Sequence, residues 1–266
     1  ASCRHPWAMD LHHPDDPRYD AETQRRLDRR RLVRALNASL VLVLAMILVY
    51  SAQGSFDVAR FAVQPLSVDG LLGLLTAPLL HGSVEHIAAN AVALLMLGTL
   101  AGSVYPRATL WSLPLLWLGS GLGAWLLGDP GSHHLGASGV THGLMFLVFV
   151  LGLLRRDRPA IATGMIAFLF YGGMLLTVLP HEPGISWQSH LGGAVAGVIA
   201  AILFRRLDPA LPRKRYSWED EEENFVPLDD ELEPPAPREV PVLWNRAQSS
   251  DDDGGVVLKF PPRDRD

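Results

Sequence analysis

The chain has 266 residues, 48% of them hydrophobic and only 19% charged, with a formal net charge of −5. Apolar runs dominate from Leu32 to Phe204, while charge and proline crowd both flanks, a split that excludes a single soluble globular domain. One cysteine, Cys3, excludes an intramolecular disulfide and, without Cys/His pairs at ligand spacing, speaks against structural zinc; a pI near 6.1 gives no support to nucleic-acid binding.

Residues 1–32 form a hydrophilic segment, and Met9 reads as the natural start, with the preceding residues a cloning remnant. Asp10, Asp15, Asp16, Asp20, Glu22 and Asp28 break the acid-poor pattern of a mitochondrial transit peptide. A bilayer core needs about 20 mostly apolar residues per helix. Six segments qualify: 33–51, 83–104, 108–127, 138–154, 159–179 and 188–205. The first reads as a signal anchor rather than a cleaved signal, because some thirty hydrophilic residues precede it and five spans follow.

Basic residues set the expected orientation. Arg25, Arg26, Arg29, Arg30, Arg31 and Arg34 precede span one, Arg107 separates spans two and three, and Arg155, Arg156 and Arg158 separate four and five. Arg205, Arg206, Arg213, Lys214 and Arg215 follow span six, whereas the loops 52–82, 128–137 and 180–187 hold one arginine, Arg60. The positive-inside rule then predicts both termini in the cytoplasm. The expected fold class is an all-α membrane protein: a six-transmembrane-helix core over 33–206, followed by an acidic, proline-rich tail over 207–266 expected to be disordered. Short apolar islands in that tail, Phe225–Leu228 and Val240–Trp244, offer a possible docking point for a cytoplasmic partner, though a solvated tail is the simpler expectation.

Polar groups inside a span are costly unless satisfied, so they point to function. Span two opens with His86 and Asn90 one turn apart on one face. Span four opens with Gly136-Ala137-Ser138-Gly139, where the flanking glycines let other backbone come close. Span six carries His190 followed by Gly193 and Gly197, a small-residue face suited to packing against span four; the string Gly119–Ala124 suits close packing of span three. Spans two, four and six run in the same direction, so their first turns can meet. A serine hydroxyl needs a base, and histidine supplies one near neutral pH, which pairs Ser138 with His190. Acyl transfer also needs donors for an oxyanion, and the Asn90 amide, the His86 ring and the Ser138 backbone N–H are the candidates.

With these three motifs on the second, fourth and sixth spans, the sequence resembles the rhomboid family of intramembrane serine proteases. The resemblance covers 33–206. It implies a helical bundle with a water-filled, outward-open site, Ser138 as nucleophile, His190 as general base, and His86 and Asn90 as aids to the oxyanion. It further implies transmembrane-protein substrates cut at helix-unstable segments with small residues, and no metal or nucleotide cofactor. The lipid bilayer is the expected environment, and a bacterial inner membrane the expected location. Two departures stand out: His142 occupies the place of a tyrosine that stacks on the catalytic histidine in many rhomboids, and loop 52–82 lacks the Trp-Arg pair common in the bacterial family. An imidazole at 142 can stack on His190, compete for Ser138 or carry charge.

Glu85, beside His86, faces another direction and is not a triad acid. His81 reads as a loop residue supporting the oxyanion region, and His133, His134 and His181 as loop histidines. Seven histidines in the outer half of the core suggest a rival reading, a metal- or haem-binding membrane protein, against which stands the lack of accompanying carboxylates or thiolates. A second rival is a catalytically inactive rhomboid-like protein that binds membrane clients.

Overall fold

The computed structural model describes residues 21–180 and 184–208. The expectations for most of 1–32, for the tail beyond Asp208 and for His181 lie outside the described residues. Among the described residues, six helices are long and apolar enough to cross a bilayer, as expected of an integral multi-pass membrane protein. They are α1 (Ala21–Ala52), α3 (Val84–Val104), α4 (Pro106–Leu127), α5 (Ser138–Arg155), α6 (Arg158–Tyr171) and α7 (Trp187–Phe204); a short α2 (Gly73–Thr76) lies in the first long loop. A three-ten stretch, Gly172–Val178, continues α6 to the far side. Helix α1 starts a dozen residues before the expected span, so its arginines stand on a helix continuous with the membrane segment.

Burial orders the helices. In α5, 61% of the apolar window is covered by protein, against 22% in α1 and 17% in α6, which makes α5 the central helix and the other two peripheral. Leu144, Met145, Leu147, Val148 and Leu151 of α5 are fully enclosed and form the centre of the main core with Met46, Leu97, Leu116 and Ala200. Bulky side chains such as Leu169 and Phe170 of α6 or Leu48 of α1 face outward, where lipid replaces the protein interior.

Helix α7 runs between α4 and α5 through glycines. A Cβ on Gly193 would lie 1.9 Å from the Gly139 carbonyl oxygen and one on Gly197 2.3 Å from that of Gly143. On its other side, a Cβ on Gly123 would meet the Gln188 carbonyl at 2.4 Å. Backbone therefore touches backbone on both flanks: the contact with α5 is the one expected of the small-residue face of span six, and the small-residue string of span three, whose partner the sequence left open, packs on α7. A buried pair of hydroxyls, Ser120 and Ser189, 2.7 Å apart, adds a polar tie between α4 and α7.

The loop before α3 is folded against α4. Trp117 Nε1 donates to the Leu75 carbonyl at 3.0 Å and Trp125 Nε1 to that of Ser67 at 2.8 Å. Val63 and His134 exchange two backbone hydrogen bonds at 2.9 Å, pinning this loop to the α4–α5 connection. At the opposite end, Asp208 departs from the expected tail. Its carboxylate is buried and accepts from the Arg107 and Ala108 amides at 3.0 and 2.9 Å, capping the first turn of α4, while Arg155 donates to its carbonyl at 2.9 Å. Such a cap satisfies two amides that α4, opening on Pro106, has no nearby side chain to serve.

Candidate active site

Ser138 occupies the first position of α5, where backbone amides have no intrahelical acceptor and are available to a ligand. The turn leading into it depends on Gly136. Its φ of +114° is unfavourable for side-chain-bearing residues, and a Cβ there would lie 2.6 Å from the His86 ring. The Gly136 amide donates to the Ala77 carbonyl at 2.9 Å, tying the turn to the loop before α3.

His190 Nε2 lies 2.9 Å from Ser138 Oγ. His190 Nδ1 lies 3.0 Å from the Thr177 carbonyl oxygen. A carbonyl can only accept, so Nδ1 carries the proton and the Nε2 lone pair faces the serine hydroxyl. The serine O–H thus donates to a base already held in the tautomer that can take its proton. Thr177 was not singled out from the sequence; a threonine near the end of an apolar span is its only signal, and a backbone carbonyl leaves none.

His142 is the second residue around this pair. Its ring stacks on His190 with centroids 3.9 Å apart and an interplanar angle of 14°. Nδ1 lies 2.6 Å from the Ser138 carbonyl and Nε2 2.8 Å from Thr177 Oγ1. Stacking, one of the possibilities raised by the sequence, is present, and the ring's contact with Ser138 is to the main chain, not the hydroxyl.

Across the cavity, α3 supplies His86 and Asn90. Ser83 caps this helix, accepting from the His86 amide at 3.1 Å. Asn90 is buried and its Nδ2 has no hydrogen-bond partner, an orphan donor 3.6 Å from where a Cβ on Gly136 would sit. A buried unpaired amide is costly, which is the condition expected of a donor reserved for a transient negative charge. Behind His86 stands His81, fully buried, edge-to-face with it at 5.0 Å and held through its backbone by both ends of the Gln53 amide. Burial first, and then the charge of His86, pushes the His81 pKa down to about 4, so its ring is neutral at physiological pH.

His86, Asn90, Ser138 and His190 all line one cavity of about 1010 Å³, with Gln188 and the loop residues Asp129 and His133. His134 is no plain loop histidine: its Nδ1 meets Ser186 Oγ at 2.7 Å and its Nε2 meets Ser132 Oγ at 2.9 Å, bracing the chain just before α7. Burial lowers its pKa. Among the described residues, no group of three His, Cys, Asp or Glu side chains is placed to hold a metal ion.

A sequence model of the Rhomboid domain matches residues 69–207, which includes α3 to α7 and every residue of this cavity. The chain belongs to the rhomboid family. It is similar to several mycobacterial proteins. An uncharacterized protein of Mycobacterium leprae is 34% identical over 197 residues, 69% of this rhomboid and 76% of the relative. Uncharacterized proteins of Mycobacterium tuberculosis and Mycobacterium bovis are 42% identical over 149 residues, 53% of this chain. The match spans 62% of the length of those two relatives.

Proposed function

We propose that this rhomboid is an intramembrane serine endopeptidase that hydrolyses peptide bonds in transmembrane segments of other proteins. The observation that carries the reading is the 2.9 Å contact of Ser138 Oγ with a His190 whose opposite nitrogen is bonded to a carbonyl. His190 Nε2 takes the serine proton as Oγ attacks the scissile carbonyl carbon, then returns it to the leaving amine, leaving an acyl-enzyme on Ser138. A water, deprotonated by the same nitrogen, attacks the acyl carbon, and Ser138 recovers its proton. In both steps the oxyanion faces Asn90 Nδ2, the His86 ring and the first amides of α5. The small-residue seam of α5 and α7 holds nucleophile and base, and α3 holds the donors.

The arginine distribution supports cytoplasmic termini and a site near the outer surface, and the mycobacterial relatives favour the inner membrane of a bacterium. Cytoplasmic termini put the acidic tail on the side where a cytoplasmic partner would meet it. The test is labelling of the full chain in detergent by a fluorophosphonate, alongside cleavage of a model transmembrane substrate, for wild type, Ser138→Ala and His190→Ala. Labelling and cleavage lost in both variants support the dyad. A folded wild type that neither labels nor cuts overturns the reading in favour of a client-binding rhomboid.

A further inference from the structure

Thr177 touches both stacked histidines, and does so with two different groups. Its carbonyl accepts from His190 Nδ1 at 3.0 Å, and its hydroxyl is 2.8 Å from His142 Nε2. His142 Nδ1 faces the Ser138 carbonyl, an obligate acceptor, so in a neutral His142 the proton sits on Nδ1 and Nε2 is left as an acceptor. With the ring in that state the Thr177 hydroxyl donates to His142 at 2.8 Å, and the Met174 carbonyl, 3.1 Å away, is its longer alternative acceptor. The outcome is a closed circuit. Ser138 O–H donates to His190 Nε2, His190 Nδ1–H to the Thr177 carbonyl, Thr177 O–H to His142 Nε2, and His142 Nδ1–H to the carbonyl of Ser138 itself.

We infer that Thr177 is a positioning residue for the Ser138–His190 pair, its carbonyl selecting the tautomer of His190 and its hydroxyl fixing the His142 ring against which His190 lies. The inference rests on the protease reading and adds a residue to it. In serine hydrolases with a triad, a carboxylate holds the base; here a neutral main-chain carbonyl and a stacked ring share that task. The carbonyl is free to accept because Gly172–Val178 ends in an extended residue, Leu179, so no further helical turn claims it. The two rings are parallel at 3.9 Å, and a ring that loses its polar anchor can tilt, taking the His190 lone pair off the serine. Two helices, α5 and α7, carry the reacting groups, while the segment after α6 carries the residue that aligns them.

The experiment uses the full chain in detergent as wild type, Thr177→Val, Thr177→Ser, His142→Phe and the Thr177→Val/His142→Phe double variant. Labelling rate with a fluorophosphonate and kcat and KM on a model transmembrane substrate are measured, with 15N spectra of ring-labelled histidines. Thr177→Val keeps the shape and the carbonyl but removes the hydroxyl. It is expected to lower labelling rate and kcat about tenfold with KM unchanged, an alignment loss of the size that small misplacements cause. Thr177→Ser recovers the rate. On a His142→Phe background Thr177→Val costs nothing more, since the hydroxyl's acceptor is already gone. The inference is overturned by a Thr177→Val protein of wild-type rate, by a loss confined to KM, or by a loss that adds fully to that of His142→Phe. If the wild type itself neither labels nor cuts, the protease reading fails, and the spectra decide Thr177 separately: a protonated Nδ1 on His190 and ring signals of both histidines that shift in Thr177→Val uphold it, and unshifted signals refute it.

Discussion

Replacing Gly193 with alanine tests whether the glycine seam sets the distance between Ser138 and His190, the proposed nucleophile and base. The added Cβ would stand 1.9 Å from the Gly139 carbonyl oxygen, and because that atom is main chain no rotamer can relieve the clash. Carbon and oxygen in van der Waals contact rarely come closer than about 3.3 Å, so α5 and α7 must part by more than about 1 Å. Ser138 precedes Gly139 by one residue and His190 lies three before Gly193, so the opening falls on their 2.9 Å hydrogen bond and stretches it to about 4 Å, beyond bonding range. A misplacement of this size costs on the order of 100-fold in rate, and the overpacking itself costs about 1–3 kcal/mol of stability. The assay is the second-order rate of fluorophosphonate labelling together with the thermal midpoint in detergent. Gly54→Ala, whose Cβ meets nothing within 4 Å, serves as the control and is expected to match wild type. A Gly193→Ala protein that labels at the wild-type rate and melts at the same temperature would refute the argument that backbone contact sets the dyad.

Asn90→Ala removes the unpaired buried donor and is expected to lower kcat by about 10²–10³, equivalent to about 2.7–4 kcal/mol, with little change in KM; steady-state cleavage kinetics decide it, and a loss seen only in KM would contradict the assigned role. His81, with its pKa held near 4 against the usual 6.5, gives an acid-sensitive fold. Between those values the unfolded chain binds a proton at this ring that the folded chain does not, so stability falls as pH drops below about 6.5 and levels off below about 4, by up to about 3 kcal/mol. Thermal melts from pH 7 to 4 should show that loss in wild type and a smaller one in His81→Phe; identical profiles would dismiss it. Asp208→Ala uncaps α4 and is expected to cost about 1–2 kcal/mol, read as a lower thermal midpoint, and an unchanged midpoint would mean that the two amide bonds contribute nothing net.

The spans were legible because a bilayer imposes a length and an apolar composition that few other contexts demand, and α3, α4, α5, α7 and the combined stretch of α6 with its three-ten continuation, Arg158–Val178, begin and end within a few residues of the expected positions. Ser138 and His190 were legible for a related reason: a hydroxyl and an imidazole at the first turns of parallel spans need an explanation that packing alone does not supply. The contact between spans four and six could be anticipated from Gly193 and Gly197, because small residues at a four-residue spacing have few other uses in an apolar helix. Thr177 could not be found this way, since its decisive atom is a main-chain oxygen common to every residue. His134 and Asp208 escaped for another reason. Their partners, Ser186 and the amides of Arg107 and Ala108, are 52 and about 100 residues away, and nothing local in the chain distinguishes a histidine or aspartate so engaged from one facing water.

The seam between α5 and α7 has a consequence for how this pair behaves before any substrate arrives. Where helices meet through leucines, the gap between them breathes as side chains exchange rotamers on picosecond to nanosecond timescales. Glycine against carbonyl offers no such torsions, so the spacing of Ser138 and His190 is tied to two rigid main chains and not to the momentary state of a hydrophobic interface. Alignment is therefore a property of the resting molecule. On the protease reading, substrate binding energy need not be spent on bringing the two groups together, and remains available for unwinding a helical substrate.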